Sequence, residues 1–314
     1  MIISVIACPN GMGHFYRLLD ISKVIAKKNI IYFFCSKNQL KKINSKFKNI
    51  FFIPIIKNAK IDEKNFEFLI KFYHKDLSTI QEIIDSDIII SDNLINKIYT
   101  KKKFLLISNF FWGNNFSSKS KKNIIYLKIE KNYLKQNKVL QNKYFGHPLD
   151  YKLNKLNFNF TGEKTKNKKI KRNKIFFYFR KKIKIFPMIK VLQSRFEIYS
   201  NKSFPKYNIK YFNLNKGLSE FKFLLARPGM GSITDSIKFN VPILSYMEKN
   251  DCIEMHKNNK LIKKYKIGFV LNKEEKDINE LLFLKKNKYI ELLKNLNKFR
   301  FGGEKQILNY VKNL

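Results

Sequence analysis

Two glycine-rich turns hold the side chains best suited to catalysis and to ligand binding. The first, CPNGMGHFYR at 8–17, follows the apolar segment Ile2–Ala7. Glycines after a buried strand let the chain bend tightly, and the free N–H groups of the following helix attract negative charge. A neutral imidazole at His14, the predicted helix start, could take a proton from an attacking hydroxyl. The alternative is a helix-capping or loop histidine. Three residues of the same turn could also face a ligand: Gly11, Gly13 and Arg17.

The second turn, ARPGMGSITDSI at 226–237, again joins an apolar strand to a helix. Backbone N–H groups from Gly229 to Ser232 could hold a diphosphate, and the Ser232 hydroxyl could add a hydrogen bond. Asp235, one helical turn further on, could accept hydrogen bonds from the two hydroxyls of a ribose. The alternatives are an N-cap role for Ser232 and a helix-dipole role for Asp235.

Other nucleotide sites and metal sites are not favoured. The first turn lacks the third glycine of a dinucleotide fingerprint, and no acidic residue ends the second predicted strand at Phe34–Cys35, so NAD binding is not expected. No Gly-Lys-Ser/Thr follows the second turn, which excludes an ATP-binding Walker loop. Three isolated cysteines and four scattered histidines have no metal-like spacing. We therefore predict neither a metal nor a cofactor.

The net charge of +40 comes from 64 Lys and Arg residues against 24 Asp and Glu. Only six of the basic residues are arginines, the side chain that reads bases and phosphates bidentately. We attribute most of the excess to a composition biased toward AT-rich codons, and expect no nucleic-acid partner. The alternatives are attraction to an anionic membrane surface and nucleic-acid binding. No apolar run approaches the roughly 20 residues of a membrane helix, and the N-terminus does not resemble a signal peptide, so a cytoplasmic location is predicted.

Short apolar segments alternate with helical segments in both halves, which predicts parallel sheets covered on both faces, the doubly wound α/β arrangement. The predicted strands are Ile2–Ala7, Ile30–Cys35, Ile50–Ile55, Asp87–Ser91, Phe104–Ser108, Ile175–Phe179, Phe196–Tyr199, Ile209–Phe212, Phe221–Ala226 and Pro242–Tyr246. Helices are predicted over 38–47 and 63–84, among others. The Lys-rich segment 151–173 is predicted to be a linker between domains 1–150 and 174–314.

Together, G-x-G-H-x-x-R near the start and R-x-G-x-G-S-x-x-D late in the chain resemble motifs of the GT-B glycosyltransferases. The most similar group is that of the peptidoglycan N-acetylglucosaminyltransferase and the UDP-glucuronosyltransferases, with a C-terminal domain like that of glycosyltransferase family 28. Further similar segments follow in order: ISD at 90–92, ISNFFW at 107–112, FGHP at 145–148, NVPIL at 240–244, EMHKNN at 254–259, IGFVL at 267–271 and FGGE at 301–304.

The resemblance implies two Rossmann-like domains facing each other across a cleft, with the acceptor on the first and a nucleotide sugar on the second. His14 would deprotonate an acceptor hydroxyl, so that a hexose-type sugar leaves its nucleoside diphosphate, UDP being favoured, with inversion and without a metal. The nucleotide sugar is then a substrate, not a cofactor. The donor-binding residues implied by matching positions are Arg227, Gly229, Met230, Gly231, Ser232, Asp235, Glu254, Met255 and Asn258.

Relatives often use glycan or lipid-linked acceptors, which implies a role in cell-envelope polysaccharide synthesis. Peripheral contact with the inner face of the membrane would then involve lysines of the first domain. A solvated lysine-rich face is the alternative. These lysines are Lys41, Lys42, Lys46, Lys48, Lys101, Lys102 and Lys103.

Three departures from the family pattern concern the donor. The segment Phe176–Lys182 lacks the usual glycine-rich turn, and Arg180 could supply a cation for the phosphate instead. Asp235 is shorter than the usual Glu, and Met255 stands where Gln is common. Two other functions stay open: a nucleotide-sugar hydrolase or epimerase of the same fold, and a non-catalytic binder of anionic surfaces or nucleic acid.

Overall fold

The part of the chain that the structure describes contains thirteen strands, which form two parallel sheets. The computed structural model describes residues 1–43, 45–59, 61, 66–98, 102–115, 120–148, 155–165, 173–178, 186–248, 251, 253–271 and 281–314. The chain divides into two compact units. The first unit is Met1–Gly162 together with Phe301–Leu314, and the second unit is Glu163–Arg300.

The sheet of the first unit has seven parallel strands in the order β3-β2-β1-β4-β5-β6-β7. Strand order therefore reverses beside β1, and ligands bind at the carboxyl ends of the strands at such a point. The strands are β1 (Ile2–Ile6), β2 (Ile30–Ser36), β3 (Ile50–Ile56), β4 (Ile88–Asp92), β5 (Lys103–Ser108), β6 (Val139–Asn142) and β7 (Lys155–Phe158).

The sheet of the second unit has six parallel strands in the order β10-β9-β8-β11-β12-β13. It repeats the topology of the first sheet, with the reversal beside β8. The strands are β8 (Lys174–Phe177), β9 (Glu197–Ser200), β10 (Lys210–Tyr211), β11 (Phe223–Ala226), β12 (Ile243–Tyr246) and β13 (Gly268–Leu271). Both sheets confirm the doubly wound fold class.

Helices connect the strands of both units. They are α1 (Met12–Ile25), α2 (Lys37–Leu40), α3 (Glu67–His74), α4 (Gln81–Ile84), α5 (Lys121–Gln136), α6 (Phe186–Leu192), α7 (Met230–Lys238), α8 (Ile253–Tyr265), α9 (Lys286–Asn297) and α10 (Gly303–Lys312). Within the described residues, no helix is both long enough and apolar enough to cross a membrane.

Alternate residues of the central strands enter apolar clusters on opposite faces of the first sheet. Ile6 packs into one cluster, while Ile3 and Val5 pack into the other. This explains why β1 is apolar on both faces, and why its carboxyl end is held rigidly where the first glycine turn begins.

The predicted domain boundaries differ from the observed units at both ends. Residues 155–158 of the predicted linker form β7, which pairs with β6 and buries Phe158. The strand was missed because only one of its four residues is buried, as is usual for an edge strand. Helix α10, assigned by sequence to the second domain, packs on α1 and buries Ile307 and Val311 in the core of the first unit.

Two helix predictions were also wrong in extent. The helix predicted over 38–47 ends at Leu40, and the described part of 63–84 forms α3 and α4 separately. Between them, Asp76 accepts hydrogen bonds from the amide and the hydroxyl of Ser78. Such a local side-chain turn competes with helical hydrogen bonding, which the apolar spacing alone does not reveal.

Candidate functional site

His14 lies at the carboxyl edge of the first sheet, in the first turn of α1. The chain leaves β1, bends at Gly11 with φ of 88°, and enters the helix at Met12. That left-handed angle explains the glycine at this position. The neighbouring parallel strand β4 ends at Asp92, and His14 Nδ1 lies 2.9 Å from Asp92 Oδ1. The parallel pairing of β1 with β4 therefore brings together two side chains that lie 78 positions apart in the sequence.

Arg17 holds the same carboxylate from the next turn of α1. Its Nε donates to Asp92 Oδ2 at 2.8 Å and one terminal nitrogen donates to Oδ1 at 2.5 Å. The Asp92 side chain is fully buried, and those of His14 and Arg17 are 11% and 12% exposed. The three side chains thus form a compact group, here called the His14 triad.

Charge fixes the tautomer of His14. Burial would raise the pKa of Asp92, but the positive charge of Arg17 and the contacts with His14 outweigh it, so the pKa lies below its usual value. An ionised carboxylate can only accept hydrogen bonds, so His14 Nδ1 carries the proton that Asp92 accepts. In the neutral imidazole, Nε2 then bears the lone pair, as a general base requires.

Two further sequence segments meet beside the triad. The ring of Phe110 lies 6.0 Å from that of His14, 4.8 Å from Trp112 and 5.8 Å from His147. The His147 amide donates to the Asn109 carbonyl at 2.7 Å. The SNFFW segment at 108–112 and the GHP segment at 146–148 therefore form one aromatic wall beside His14.

Glu130 supports this wall from α5. Its Oε2 accepts the Gly113 amide at 2.8 Å, and a Cβ at Gly113 would lie 2.8 Å from the same oxygen. Burial raises the pKa of Glu130 to about 8, although backbone hydrogen bonds oppose the shift. The side chain is therefore largely a neutral acid at pH 7. Sequence reasoning missed it, because one Glu in a lysine-rich helix does not stand out.

In the second unit, the glycine turn leads from β11 into α7 as predicted. Gly229 is the N-cap and no side chain caps the helix, so the alternative N-cap role of Ser232 is wrong. A Cβ built at Gly229 or Gly231 would meet no atom within 4 Å. The first turn of α7, with Met230 and Ser232 partly buried, therefore has open space in front of its glycines, where a diphosphate could approach.

Two contacts with other residues of the second unit fix the position of this glycine turn. Arg227 forms an ion pair with the fully buried Asp251, whose other oxygen accepts the Glu248 amide at 2.8 Å. The Asn258 amide group donates to the Pro228 carbonyl at 2.8 Å and is fully buried. Arg227 and Asn258, both predicted to contact the donor, thus hold the loop that would do so. Direct contact by either residue remains a prediction.

Asp235 lies one turn into α7, and its side chain is hydrogen-bonded to the residue that follows β8. Tyr178, which follows β8, donates its hydroxyl to Asp235 Oδ2 at 2.6 Å. Burial raises the pKa of Asp235, which the hydrogen bond from Tyr178 opposes. Neither Tyr178 nor Asp251 was singled out by sequence, because their partners are far away in the chain. Glu254 and Met255 are half-buried in the first turn of α8, and Arg180 lies outside the described residues.

Comparison with known proteins identifies the fold. No protein-family model and no curated protein matches the sequence. Solved structures match over almost the whole chain. Glycosyltransferase VinC in complex with dTDP has a TM-score of 0.64 at 10% identity, covering 99% of this chain and 98% of its own. MurG of Acinetobacter baumannii has 0.64 at 10%, covering 99% of both chains. UDP-glucose:anthocyanidin 3-O-glucosyltransferase in complex with UDP has 0.65 at 13%, covering 98% and 94%.

The chain has the GT-B fold. The resemblance predicted from the motifs is thereby confirmed for the fold, with two Rossmann-like units. At identities of 10–13% the likeness concerns the GT-B architecture, so the roles of individual residues stay predictions. Among the described residues, no three His, Cys, Asp or Glu side chains are grouped to hold a metal ion.

Proposed function

We propose that this protein is an inverting glycosyltransferase that moves a hexose-type sugar from a nucleoside diphosphate to an acceptor hydroxyl. The observation that carries the proposal is the His14 triad, in which the buried carboxylate of Asp92 lies 2.9 Å from His14 Nδ1 at the carboxyl edge of a GT-B sheet. Support also comes from the solved neighbours of the same fold, which are named as glycosyltransferases.

In the proposed reaction, the acceptor hydroxyl attacks the anomeric carbon while His14 Nε2 takes its proton. A carbon–oxygen bond forms on one face of the sugar, and the bond to the diphosphate breaks on the other, which inverts the configuration. Asp92 stabilises the imidazolium that results, and Arg17 keeps Asp92 ionised. The proton and the leaving diphosphate thus have separate recipients, as general base catalysis requires.

The leaving group would be held by the first turn of α7. The N–H groups of Met230, Gly231 and Ser232 and the positive end of the helix dipole would stabilise a diphosphate without a metal ion. The Gly229 N–H, also predicted to bind the diphosphate, instead donates to the Arg227 carbonyl at 2.8 Å. Asp235 would bind the ribose, and Glu254 and Met255 would lie near the sugar. UDP is the proposed nucleotide, since one neighbour of the same fold was solved with UDP, although another holds dTDP.

A thermal-shift screen with UDP, GDP, dTDP and CDP sugars tests the donor, with Asp235→Ala as the weakened variant. At least one nucleotide sugar should stabilise the wild-type protein and stabilise Asp235→Ala less. In a transfer assay with that donor, His14→Ala should lose activity while keeping the thermal shift. Rapid stoichiometric release of free sugar without an acceptor would instead establish a hydrolase, and no stabilisation by any nucleotide sugar would overturn the proposal.

We further propose that the acceptor is a glycan or lipid-linked molecule and that the protein contacts an anionic membrane. Ile124 and Ile125 on α5 are 42% and 46% exposed, beside the exposed Lys121 and Lys128. Apolar side chains flanked by lysines suit the interface of an anionic bilayer. No described helix spans a membrane, so contact would be peripheral, at the inner face.

Co-sedimentation with phosphatidylglycerol vesicles at low salt tests this contact. The wild-type protein should pellet with the vesicles, and the double variant Ile124→Ser, Ile125→Ser should pellet less. Phe283→Ser, which removes a 70% exposed side chain from the second unit, is the matched control and should behave like wild type. Failure of the wild-type protein to pellet would remove the membrane proposal without affecting the transferase.

A further inference from the structure

One buried side chain, Gln39 of α2, holds the first glycine turn at both of its ends. Its Nε2 donates to the Cys8 carbonyl at 2.8 Å and to the Gly11 carbonyl at 3.1 Å. Cys8 comes just after β1, and Gly11 is the N-cap of α1. The two hydrogen bonds therefore span the whole bend between the strand and the helix that carries His14.

The partners of Gln39 determine which way its amide group points. Oε1 accepts the Ser36 amide at 3.0 Å, and Ser36 Oγ accepts the Gln39 amide at 3.3 Å, which makes a capping box at the start of α2. Two carbonyls need the side-chain nitrogen and one amide needs the side-chain oxygen, so only one orientation satisfies all three. Gln39 thus uses both of its side-chain N–H bonds on the glycine turn.

Hydrogen bonds rather than close packing hold the glycine turn in shape. A Cβ built at Gly11 or Gly13 would meet no atom within 4 Å among the described residues, so the glycines are not confined by neighbours on that side. Besides the Gln39 bonds, the Asn10 side chain donates to the Ile61 carbonyl at 3.3 Å and accepts the Ile61 amide at 3.2 Å. Gln39 is the contact that joins the two ends of the turn to each other.

We propose that Gln39 is a positioning residue for the catalytic base, because its hold on the Cys8 and Gly11 carbonyls sets where α1 begins and so where the His14 ring lies. This inference rests on the proposed function, in which His14 is the base. His14 Nδ1 lies 2.9 Å from Asp92, so a shift of the first turn of α1 would break the contact that orients the ring. A misplacement of about 1 Å can lower turnover roughly 10²-fold.

Gln39→Glu separates this role from the capping of α2. A capping box accepts Glu as well as Gln, so the contact with Ser36 is kept. An ionised carboxylate has no hydrogen for the two carbonyls, and a protonated one has a single hydrogen. The turnover number with the donor found in the screen should fall about tenfold or more, while the thermal shift given by that donor stays as in wild type. Wild-type turnover would mean that Gln39 only caps α2, and would overturn the inference.

Gln193→Glu is the matched control. In the second unit, Gln193 Nε2 likewise donates to two backbone carbonyls, that of Tyr207 at 2.6 Å and that of Asn208 at 3.2 Å. The same substitution there removes the same kind of contact, so it should lower the melting temperature but leave the turnover number unchanged. An equal loss of turnover in both variants would show a general effect of lost stability and would also overturn the inference.

The position of the His14 ring can be followed without any substrate. ¹⁵N NMR spectra of histidine-labelled protein, assigned with His14→Ala, should show shifted ring nitrogens for His14 in Gln39→Glu and unshifted ones in Gln193→Glu. Unshifted His14 signals in Gln39→Glu would overturn the inference. Shifted signals in a protein whose wild type transfers no sugar would instead overturn the proposed function alone. Gln39→Met, unbranched and without a donor, replaces Gln39→Glu in both measurements if the latter does not fold.

Discussion

Asp92 accepts a hydrogen bond from His14 Nδ1 and two from Arg17, and this sets which nitrogen of the base is free. Asp92→Asn offers an amide that can turn its N–H₂ toward Nδ1 and so favour the wrong tautomer. We expect the turnover number to fall by roughly 10²- to 10⁴-fold, as for other oriented histidine bases. Steady-state assays with the donor found in the screen measure this loss.

The stabilisation of Asp92→Asn by the nucleotide donor should stay as in wild type, because the donor is proposed to bind the second unit. Asp20→Asn changes a 40% exposed carboxylate on α1 and serves as the control with full activity. Unchanged turnover in Asp92→Asn would show that the triad does not supply the base.

Glu130 leads to a prediction about pH and stability. Burial raises its pKa from 4.5 to about 8, so the folded state binds the proton more tightly than the unfolded state. This contribution to stability is fully present below about pH 4.5 and is lost as the pH rises toward 8. The free energy of unfolding should fall with pH by at most about 1.4 kcal/mol per unit. Urea denaturation between pH 5 and 8 measures the slope.

Glu130→Gln, which mimics the neutral acid, should remove this part of the slope. Glu67→Gln removes a carboxylate that is 57% exposed and should leave the slope nearly unchanged. Equal slopes in wild type and Glu130→Gln would mean that Glu130 is ionised in the folded protein.

At the residue scale, the sequence singled out His14 and the two glycine turns but not the residues that contact them. His14 and the glycines stand out because they follow apolar strands at fixed spacing. Asp92 was noted within a family-like segment but without a role, since its bond to His14 depends on β1 and β4 being neighbours. Tyr178 and Asp251 depend likewise on which strands and helices pack together, which local spacing does not encode.

Glycines of two different elements give a matched prediction. A Cβ at Gly231 would meet nothing within 4 Å, whereas a Cβ at Gly268 in β13 would lie 1.9 Å from the Ile243 carbonyl oxygen. Gly231→Ala should therefore keep the melting temperature within a few degrees but weaken nucleotide binding, because the methyl occupies the approach to α7. Gly268→Ala should lower the melting temperature markedly, because backbone must move. Calorimetry and the thermal-shift assay compare both variants.

A Gly231→Ala variant that binds nucleotides as tightly as wild type would place the diphosphate elsewhere.

At the element scale, the sequence predicted most of the buried strands, since runs such as Ile88–Ile90 are apolar on both faces. It missed β6, whose four residues are all buried but include the polar Gln141 and Asn142, and β7, where burial is partial. It also failed where a side-chain turn interrupts helical spacing, as at Asp76 and Ser78.

The net charge of +40 acts on the molecule as a whole. Like charges repel each other in the compact state, and salt screens them beyond about 8–10 Å. We expect the melting temperature to rise by a few degrees between 50 and 500 mM NaCl. Sucrose at matched osmolarity separates screening from general solvent effects. A melting temperature that falls with salt would show that ion pairs such as Lys122–Glu67 outweigh the repulsion.

At this scale the sequence predicted two α/β units but placed α10 in the wrong one. Helix α10 follows the second unit directly, and its apolar face could cover either sheet. In the structure, Ile307 and Val311 pack against the core of the first unit. This contact joins residues that are far apart in the sequence, so local spacing does not predict which of the two sheets α10 covers.

Because α10 belongs to the first unit, the second unit is a continuous insertion within the sequence of the first unit. The chain leaves the first unit after Gly162 and re-enters it at Phe301, and these two points lie side by side, since Phe160 pairs with Phe301 and the Gly303 amide donates to the Phe160 carbonyl at 2.9 Å. Residues 163–300 therefore resemble a cassette inserted at one surface position. Replacing residues 163–300 by the matching segment of another GT-B protein would exchange the whole second unit between two adjacent junctions, and would leave His14 and α10 unchanged.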